Sequence, residues 1–313
     1  MITCIIPCYR SEETISLVVT ELVAAFEERS ATEYEIILVN DASPDNVMNV
    51  IKEICNNNKN VKAIDLAINL GQHNAIMAGI KHSKSGTLVF LDDDGQTPAN
   101  EIWKLLDALD DDCDVVFAKY QDKRHSIWRN MGSRINDKMA ESLIGKPKDL
   151  YISSYCACKG FVADELRKYD GKYPYLSGLL LRTAKRVKNI AVIHRERATG
   201  TSGYTMKKLF SLWLNGFTAF SITPLRIATF CGCTIAAFGF LYGIYIVLQR
   251  LLVPYTPIGF TSLMATLLLI GGMIMIMLGL IGEYIGRIYL SINKSPQFVV
   301  REKIGFEEID SKE

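Results

Sequence analysis

The 313-residue sequence lacks the features that mark several common classes of protein. Its eight cysteines form no CxxC pair, and they do not form the compact disulfide framework of a small secreted domain. The formal net charge is only +1, so we expect no nucleic-acid partner. The first residues are typical of a strand rather than of a signal peptide. We therefore expect reduced thiols in a protein that faces the cytosol.

Two long stretches near the C-terminus, 227–249 and 251–282, contain no charged residue. Each exceeds the roughly 20 apolar residues that a membrane-spanning helix needs. They predict a hairpin of two transmembrane helices at about 225–249 and 258–282. Lys and Arg are more frequent beside the hairpin than in its connection, so the positive-inside rule predicts a multi-pass protein of the inner (cytoplasmic) membrane with both termini in the cytoplasm. Two buried helices of a soluble core are the alternative.

Short apolar runs alternate with helical patterns in the N-terminal third of the chain. This βαβα order predicts an α/β fold with a doubly wound, mostly parallel sheet that binds ligands at the carboxyl ends of its strands. The predicted strands are 2–7, 35–40, 61–66, 87–91 and 114–118, and the predicted helices are 13–29, 46–56, 74–83 and 98–110.

The sequence LVFLDDDGQTP at 88–98 joins an apolar run to three acids. Buried strands exclude unpaired charge, so Asp92, Asp93 and Asp94 are expected at the exposed end of the fourth strand. Asp92 and Asp94 can share a hard divalent cation that bridges the phosphates of a nucleotide. Asp41 follows the second predicted strand in the same way. The alternatives are an acidic turn after the strand and a helix cap at Asp41.

Two further segments carry positive charge. Lys123, Arg129 and Arg134 lie in a basic segment, and the two arginines are candidates for binding an anionic substrate because a guanidinium grips phosphate with two hydrogen bonds. A solvated basic loop is the alternative. Residues 205–223 combine basic and aromatic residues, as an amphipathic helix in the lipid headgroup region does. An ordinary helix packed on the preceding domain is the alternative there.

Four ordered motifs resemble those of family 2 glycosyltransferases of the GT-A fold. They are IPCY (6–9), VNDAS (39–43), NLGQHNA (69–75) and LDDDGQTP (91–98). The membrane hairpin narrows the resemblance to the polyprenyl-phosphate glycosyltransferases. Within that branch the chain is most similar to the undecaprenyl-phosphate 4-deoxy-4-formamido-L-arabinose transferases, through GQHNAIMAG (71–79), TPLR (223–226) and GLIGEYIGRIY (279–289). The resemblance covers about residues 2–300.

The resemblance implies a Rossmann-like GT-A domain with a nucleotide-sugar site and a metal site. It assigns Mg²⁺ or Mn²⁺ and the diphosphate to Asp92 and Asp94, and places Gln96 near the sugar or the metal. The residues that it implies for the nucleotide-sugar, expected to be a UDP-sugar, are Pro7, Tyr9, Glu13, Asp41, Gln72 and Asp93.

The resemblance also implies a site for the phosphate of a polyprenyl (undecaprenyl) phosphate acceptor. Arg129 and Ser133 match the family's acceptor-phosphate pair, and Arg129 is counted with Asp92, Asp94 and Gln96 as catalytic. Arg197 and Ser202 match a late R-x-x-G-x-S segment. Lys123 and Arg134 add positive charge to the same site.

The sequence departs from the family pattern at two places. Gly203 stands where the family usually has Lys, and the stretch 152–159 has neither the acid nor the Arg of the usual D-F-R segment. These departures indicate a different sugar or a remodelled acceptor pocket.

The expected function is inverting transfer of a sugar to the lipid phosphate, giving a lipid-linked monosaccharide for the cell envelope, such as lipopolysaccharide modification. The expected domains are a catalytic domain at 1–204, a juxtamembrane segment at 205–223, a hairpin at 224–289 and a cytoplasmic tail at 290–313. The lipid bilayer is an expected partner, and self-association into a homo-oligomer stays open.

Three alternatives remain at this point. One is a transferase that acts on another acceptor. A processive polysaccharide synthase would need more membrane spans and a Q-x-x-R-W segment, which is absent. A non-catalytic membrane scaffold of the same fold would account for the departures, but not for the presence of Asp41, Asp92, Asp94 and Gln96.

Overall fold

The computed structural model describes residues 1–84, 86–120, 146–193, 195, 223–252, 259–292 and 296–306. These residues fall into two units. One combines Met1–Tyr204 with Pro296–Glu313, and the other comprises Thr205–Ser295. Most of the predicted juxtamembrane segment lies outside the described residues.

A single mixed sheet of eight strands forms the centre of the first unit, as far as it is described. Its strands are β1 (Ile2–Cys8), β2 (Tyr34–Asn40), β3 (Val61–Leu66), β4 (Thr87–Phe90), β5 (Val115–Tyr120), β6 (Cys156–Cys158), β7 (Val187–Val192) and β8 (Val300–Ile304). They are arranged in the order β7-β5-β6-β4-β1-β2-β3-β8. The α-helices among the described residues of this unit are α1 (Ile15–Glu28), α2 (Val47–Asn57), α3 (Gln72–His82), α4 (Ile102–Asp107), α5 (Gly160–Arg167) and α6 (Leu176–Thr183).

The first four strands form the parallel centre of the sheet. Strand β1 pairs in parallel with β2 and with β4, and β2 pairs in parallel with β3. The chain therefore winds outward from β1 to β3 and then returns to the other side of β1. This reversal makes the crevice between β1 and β4 the topological switch point, where doubly wound proteins bind their ligands. The predicted doubly wound, mostly parallel fold is confirmed.

Three strands were not predicted. One is β7, which pairs in parallel with β5. Strand β6 is antiparallel to both β4 and β5, and β8 is antiparallel to β3 at the edge of the sheet. Strand β6 is only three residues long, too short to show a pattern. Strand β8 has the sequence VREKI, and its three charged residues are exposed. The chain after the predicted hairpin therefore adds a strand to the sheet, where the sequence indicated only a tail at 290–313.

The core holds the carboxyl ends of the strands in a fixed register. All seven residues of β2 are buried. Helix α1 buries Val18, Leu22 and Phe26, which share one face because they are four residues apart. The Phe26 ring stacks on Tyr34, with 4.1 Å between ring centroids. Loops at the strand ends are thus built on a rigid base.

The second unit contains two long apolar helices, α7 (Thr223–Leu252) and α8 (Phe260–Ile292). By length and composition both are able to cross a membrane, and their most apolar windows, Ala228–Tyr245 and Leu269–Gly286, have mean hydropathies of 1.5 and 1.8. Helix α8 continues past the predicted end at residue 282. The prediction ended at the first charged residue, which limits a membrane span but does not end a helix.

Candidate active site

The three consecutive acids lie at the carboxyl edge of the sheet, beside the switch point. The Leu91 amide donates a hydrogen bond to the Ile5 carbonyl at 3.2 Å, so the chain remains beside β1 up to this residue. Leu91 is buried, whereas Asp92, Asp93 and Asp94 are partly exposed. The charge thus begins where the buried strand ends, because an unpaired carboxylate is costly inside the sheet.

Two neutral side chains hold the carboxylate of Asp92. Nε2 of Gln72, at the start of α3, donates to Oδ1 at 2.8 Å. Oγ of Ser154, just before β6, donates to Oδ2. Both donors are uncharged, so they orient the carboxylate without cancelling its negative charge. Asp92 can therefore present a fixed anionic ligand.

Asp93 connects the two sides of the switch point. Its Oδ2 accepts a hydrogen bond from the Tyr9 amide at 2.9 Å, and its carbonyl accepts one from the Thr14 hydroxyl at 2.6 Å. Burial, together with the charges of Asp92 and Asp94, raises the pKa of Asp93 to about 6, against the opposing effect of the hydrogen bond from Tyr9. The Asp93 carboxyl group therefore orders the β1–α1 loop.

The turn after the acids is linked to the chain that follows β7. Oδ1 of Asp94 accepts a hydrogen bond from the Gln96 amide at 3.1 Å, and the Gln96 carbonyl accepts one from the Arg195 amide at 2.7 Å. Gly95 between them has a φ of +67°, which a residue without Cβ adopts easily. Asp94 and Gln96 are thus held at the same edge as Asp92.

Asp41 supports a neighbouring loop from inside the protein. It is 3 % exposed, and its Oδ1 and Oδ2 accept hydrogen bonds from the amides of Leu70 and Gly71 at 3.0 and 2.9 Å. Burial raises the pKa of Asp41, against the opposing effect of these two bonds. Because Gln72 is the next residue, the buried carboxyl group helps to place the side chain that contacts Asp92. The expected contact of Asp41 with a nucleoside remains a prediction.

The remaining candidates for nucleotide-sugar contacts lie around the end of β1. Pro7 is buried within the strand, Tyr9 is 44 % exposed, and Glu13 is exposed in the turn that precedes α1. The Asp41 amide donates to the Cys8 carbonyl at 3.1 Å, so the ends of β1 and β2 stay together. The structure therefore brings Pro7, Tyr9, Glu13, Asp41, Gln72 and Asp93 to one edge of the sheet.

Sequence reasoning missed Ser154, which it noted only as part of a departure from the family pattern. The antiparallel pairing of β4 with β6 places Phe90 opposite Cys156, and continuing that register by two residues places Asp92 opposite Ser154. The feature that indicates the contact between Ser154 and Asp92 is therefore the short strand β6. Tyr120 adds a second polar group near these residues, and burial, together with the charge of Asp92, raises its pKa to about 12. Tyr120 is therefore a neutral hydrogen-bonding group at pH 7.

The expected acceptor-phosphate residues lie outside the described part of the chain. This holds for Lys123, Arg129, Ser133, Arg134, Arg197 and Ser202. Their roles stay predictions from the resemblance.

The carboxylates of Asp92 and Asp94 fit a site for Mg²⁺ or Mn²⁺ because these ions take hard oxygen ligands. The described residues contain no group of three or more His, Cys, Asp or Glu side chains positioned to hold a metal. One or two carboxylates are, however, the usual protein contribution to a Mg²⁺ site that is completed by the phosphates of a substrate. Asp92 is already oriented for such a role by Gln72 and Ser154.

Comparison with known sequences gives two family matches and a set of full-length relatives. Residues 3–166 match the family described as Glycosyl transferase family 2, and residues 223–288 match the family described as GtrB C-terminal hairpin. The undecaprenyl-phosphate 4-deoxy-4-formamido-L-arabinose transferase of Edwardsiella ictaluri is 31 % identical over 306 residues, covering 97 % of this chain and 94 % of the relative. The enzyme of the same name from Proteus mirabilis is 30 % identical over 307 residues, with the same coverage of 97 % and 94 %.

Solved structures share the fold at low sequence identity. Glucosyl-3-phosphoglycerate synthase from Mycobacterium tuberculosis, in complex with Mn²⁺, uridine diphosphate and phosphoglyceric acid, superposes with a TM-score of 0.53 at 14 % identity. The superposition covers 70 % of this chain and 76 % of that one. The complex of the same enzyme with phosphoglyceric acid gives a TM-score of 0.51 at 13 % identity, over 70 % of this chain and 78 % of that one.

Proposed function

The chain belongs to glycosyl transferase family 2, and from this premise we propose that it transfers a sugar from a nucleotide-sugar to polyprenyl phosphate at a membrane. One observation carries the proposal: Asp92 and Asp94 lie at the switch point of the sheet, with Asp92 oriented by two neutral donors. This is where doubly wound folds bind nucleotides. The full-length relatives named for undecaprenyl phosphate support the acceptor.

A UDP-sugar is the proposed donor. The exposed Tyr9 ring offers an apolar face on which a base can stack, and the Tyr9 backbone lies beside the acids because its amide donates to Asp93. An enzyme of the same fold was solved with uridine diphosphate and Mn²⁺ bound. These observations favour a uridine nucleotide with its diphosphate directed toward Asp92 and Asp94.

The proposed reaction is a single displacement with inversion at the anomeric carbon. An oxygen of the acceptor phosphate forms the new bond while the bond from the sugar to the nucleoside diphosphate breaks. Asp92 and Asp94 would hold Mg²⁺ or Mn²⁺, which as a Lewis acid would stabilise the negative charge on the leaving diphosphate. Gln72 and Ser154 keep Asp92 in position before the donor binds, so little reorganisation is needed during the reaction.

The acceptor needs little help from a general base. A phosphate monoester has a second pKa of about 6, as in phosphorylated side chains, so it is mostly a dianion at pH 7. The absence of an acid at Ser154 is therefore compatible with catalysis. We propose that Arg129 and Ser133, with Lys123, Arg134, Arg197 and Ser202, bind this dianion.

The path of the chain supports a hairpin with both ends on the cytoplasmic side of the inner membrane. Strands β1 to β7 precede the apolar helices and β8 follows them, yet all belong to one sheet. A chain that leaves a folded domain and returns to it crosses the membrane an even number of times. Together with the positive-inside rule, this supports a cytoplasmic catalytic domain formed by 1–204 and β8, with the juxtamembrane segment 205–223 following residue 204 in the chain. Homo-oligomerisation stays a prediction.

The proposal is tested by a transfer assay with the purified full-length protein in detergent. The protein is incubated with undecaprenyl phosphate, Mn²⁺ or Mg²⁺ and a panel of UDP- and GDP-sugars, and the lipid fraction is analysed by mass spectrometry. We expect one donor to give a glycolipid with the mass of undecaprenyl phosphate plus one sugar. The product also identifies the sugar.

The Asp94→Asn variant is the matched negative control for this assay. We expect it to fold normally and to lose transfer, because it removes one of the two charges that would hold the metal. Asp107→Asn, which removes an exposed acid paired with Arg29 at the C-terminal end of α1, should retain activity. No glycolipid from any donor, together with no metal-dependent nucleotide binding, would favour a non-catalytic scaffold.

A further inference from the structure

The strand that follows the apolar helices carries a bulge in its pairing with β3. Asp65 lies opposite Glu302 and Leu66 lies opposite Val300, so Arg301 is the extra residue between two paired positions. A bulge of this kind redirects a side chain relative to its strand. The side chain that is redirected here is a guanidinium group.

Arg301 reaches two groups at the carboxyl end of β3. Its Nη1 lies 3.2 Å from Oδ2 of Asp65, and its Nη2 donates a hydrogen bond to the Ala67 carbonyl at 3.3 Å. Asp65 is only 5 % exposed at its side chain. A carboxylate at this depth is strongly destabilising without a charged or hydrogen-bonding partner, so Arg301 compensates a buried negative charge.

Asp65 in turn continues toward the loops at the nucleotide side of the sheet. Its Oδ1 accepts a hydrogen bond from Nδ2 of Asn40 at 2.7 Å. Oδ1 of Asn40 accepts one from the Ser43 amide at 3.1 Å, and Oγ of Ser43 accepts one from the Arg10 amide at 2.7 Å. A continuous series of hydrogen bonds thus runs from Asp65 to the residue next to Tyr9.

A second series runs through the backbone after β3. The Ala67 amide donates to the Val299 carbonyl at 2.8 Å, while the Ala67 carbonyl accepts from Arg301. The loop that begins here is next held by Asp41 and ends at Gln72, which contacts Asp92. Both series start at β8 and end at residues of the candidate nucleotide-sugar site.

We propose that β8 positions the donor site and that Arg301 is the residue through which it acts. This inference rests on the proposed function, since it concerns the same donor site. Arg301 itself does not touch the reacting atoms. It holds Asp65 and Ala67, and through them the loops that carry Tyr9, Asp41 and Gln72. Binding of the soluble donor therefore depends on chain that lies beyond the apolar helices.

The test is isothermal titration of the full-length protein in detergent with UDP in the presence of Mn²⁺. For Arg301→Ala we expect the dissociation constant to rise by about 2- to 30-fold, the range seen for residues that act on a site through others. Arg301→Lys, which keeps the charge but loses the planar fork, should recover part of the affinity. In transfer assays the KM for the donor should rise more than kcat falls.

The matched control is Glu302→Gln, on the same strand. Glu302 pairs with Lys52 of α2 at 2.8 Å and takes part in neither hydrogen-bond series, so its loss should leave UDP affinity unchanged. If Glu302→Gln lowered UDP affinity as much as Arg301→Ala does, the effect would come from a general weakening of β8, and the proposal would be overturned. Unchanged affinity in Arg301→Ala would do the same.

The effect of Arg301→Ala in a second variant, Asp65→Asn, distinguishes a positioning role of Arg301 from general misfolding. Asp65→Asn removes the buried charge while its amide oxygen can still accept from Asn40, so this variant does not need Arg301 to compensate a carboxylate. In this background Arg301→Ala should have a much smaller effect on UDP affinity than in the wild type. An equal effect in both backgrounds would refute the route through Asp65. If the wild-type protein bound no nucleotide at all, the proposed function would fail first, and this inference with it.

Discussion

The hydroxyl group of Ser154 donates a hydrogen bond to Oδ2 of Asp92. The antiparallel register of β4 and β6 causes this contact, because Asp92 and Ser154 lie opposite each other when the Phe90–Cys156 pairing is continued by two residues. A neutral hydrogen-bond donor is well suited to a position beside Asp92. Three carboxylates already lie there, and a fourth acid would add repulsion, whereas a hydroxyl group orients Asp92 without adding charge.

We predict that Ser154→Ala lowers the affinity for Mn²⁺, because Asp92 loses a donor that orients it. Groups that orient a metal ligand typically contribute about 10- to 100-fold in metal affinity or activity. The measurement is transfer activity as a function of Mn²⁺ concentration. Ser153→Ala is the matched control, since Oγ of Ser153 donates to the Tyr155 carbonyl at 2.8 Å and not to an acid. An unchanged Mn²⁺ dependence in Ser154→Ala would contradict the assigned role.

We predict that Asp41→Ala reduces both stability and nucleotide binding. The substitution leaves the amides of Leu70 and Gly71 without their buried acceptor, and each unsatisfied group costs about 1–3 kcal/mol. The loop that places Gln72 should then lose its order. Thermal unfolding and UDP titration measure the two effects. If Asp41 served only as a nucleoside ligand, the melting temperature would not fall.

Gly71→Ala tests the same loop through its backbone. Gly71 has a φ of +89° and a ψ of +159°, a combination that is essentially restricted to glycine, although an added Cβ would meet no atom within 4 Å. We expect Gly71→Ala to lower the free energy of unfolding by about 1–3 kcal/mol, from backbone strain alone. Gly239→Ala provides the comparison, since it also adds a Cβ in open space but lies within a helix without positive φ. It should not lower the melting temperature.

Asp93 should make stability depend on pH. Its pKa is raised to about 6 in the folded protein, above the ordinary value near 4 that it has when unfolded. The folded state therefore binds the proton more tightly, and the stability that this contributes is present at low pH and lost as pH rises from about 4 to about 6. Asp93→Asn should accordingly raise the unfolding free energy at pH 7.5, by at most about 3 kcal/mol.

The measurement is the melting temperature of the wild type and Asp93→Asn at pH 5.0 and pH 7.5. The melting temperature of Asp93→Asn should exceed that of the wild type by more at pH 7.5, where the wild-type carboxyl group is charged, than at pH 5.0. An equal difference at both pH values would show that Asp93 does not titrate in this range.

Local patterns in the sequence were sufficient for the parallel centre of the fold. The strands beginning at Ile2, Val61 and Thr87 were predicted at their first residue, because buried strands are short apolar runs and the helices between them have their own period. Strands β6, β7 and β8 escaped prediction. Strand β6 has three residues, and β7 interrupts its apolar residues with Lys188 and Asn189. Strand β8 is mostly charged and pairs with residues more than 200 positions earlier. None of the three carries an apolar pattern of useful length.

The sequence by itself determined the apolar hairpin, the βαβα order and the position of Asp92–Asp94 at a strand end, because each depends on composition and periodicity within a short window. Only the tertiary structure decided what holds these acids in place. Ser154 meets Asp92 across a separation of 62 residues, and Arg301 meets Asp65 across 236. Such contacts depend on antiparallel pairing at the register of whole strands, which no local pattern of residues specifies.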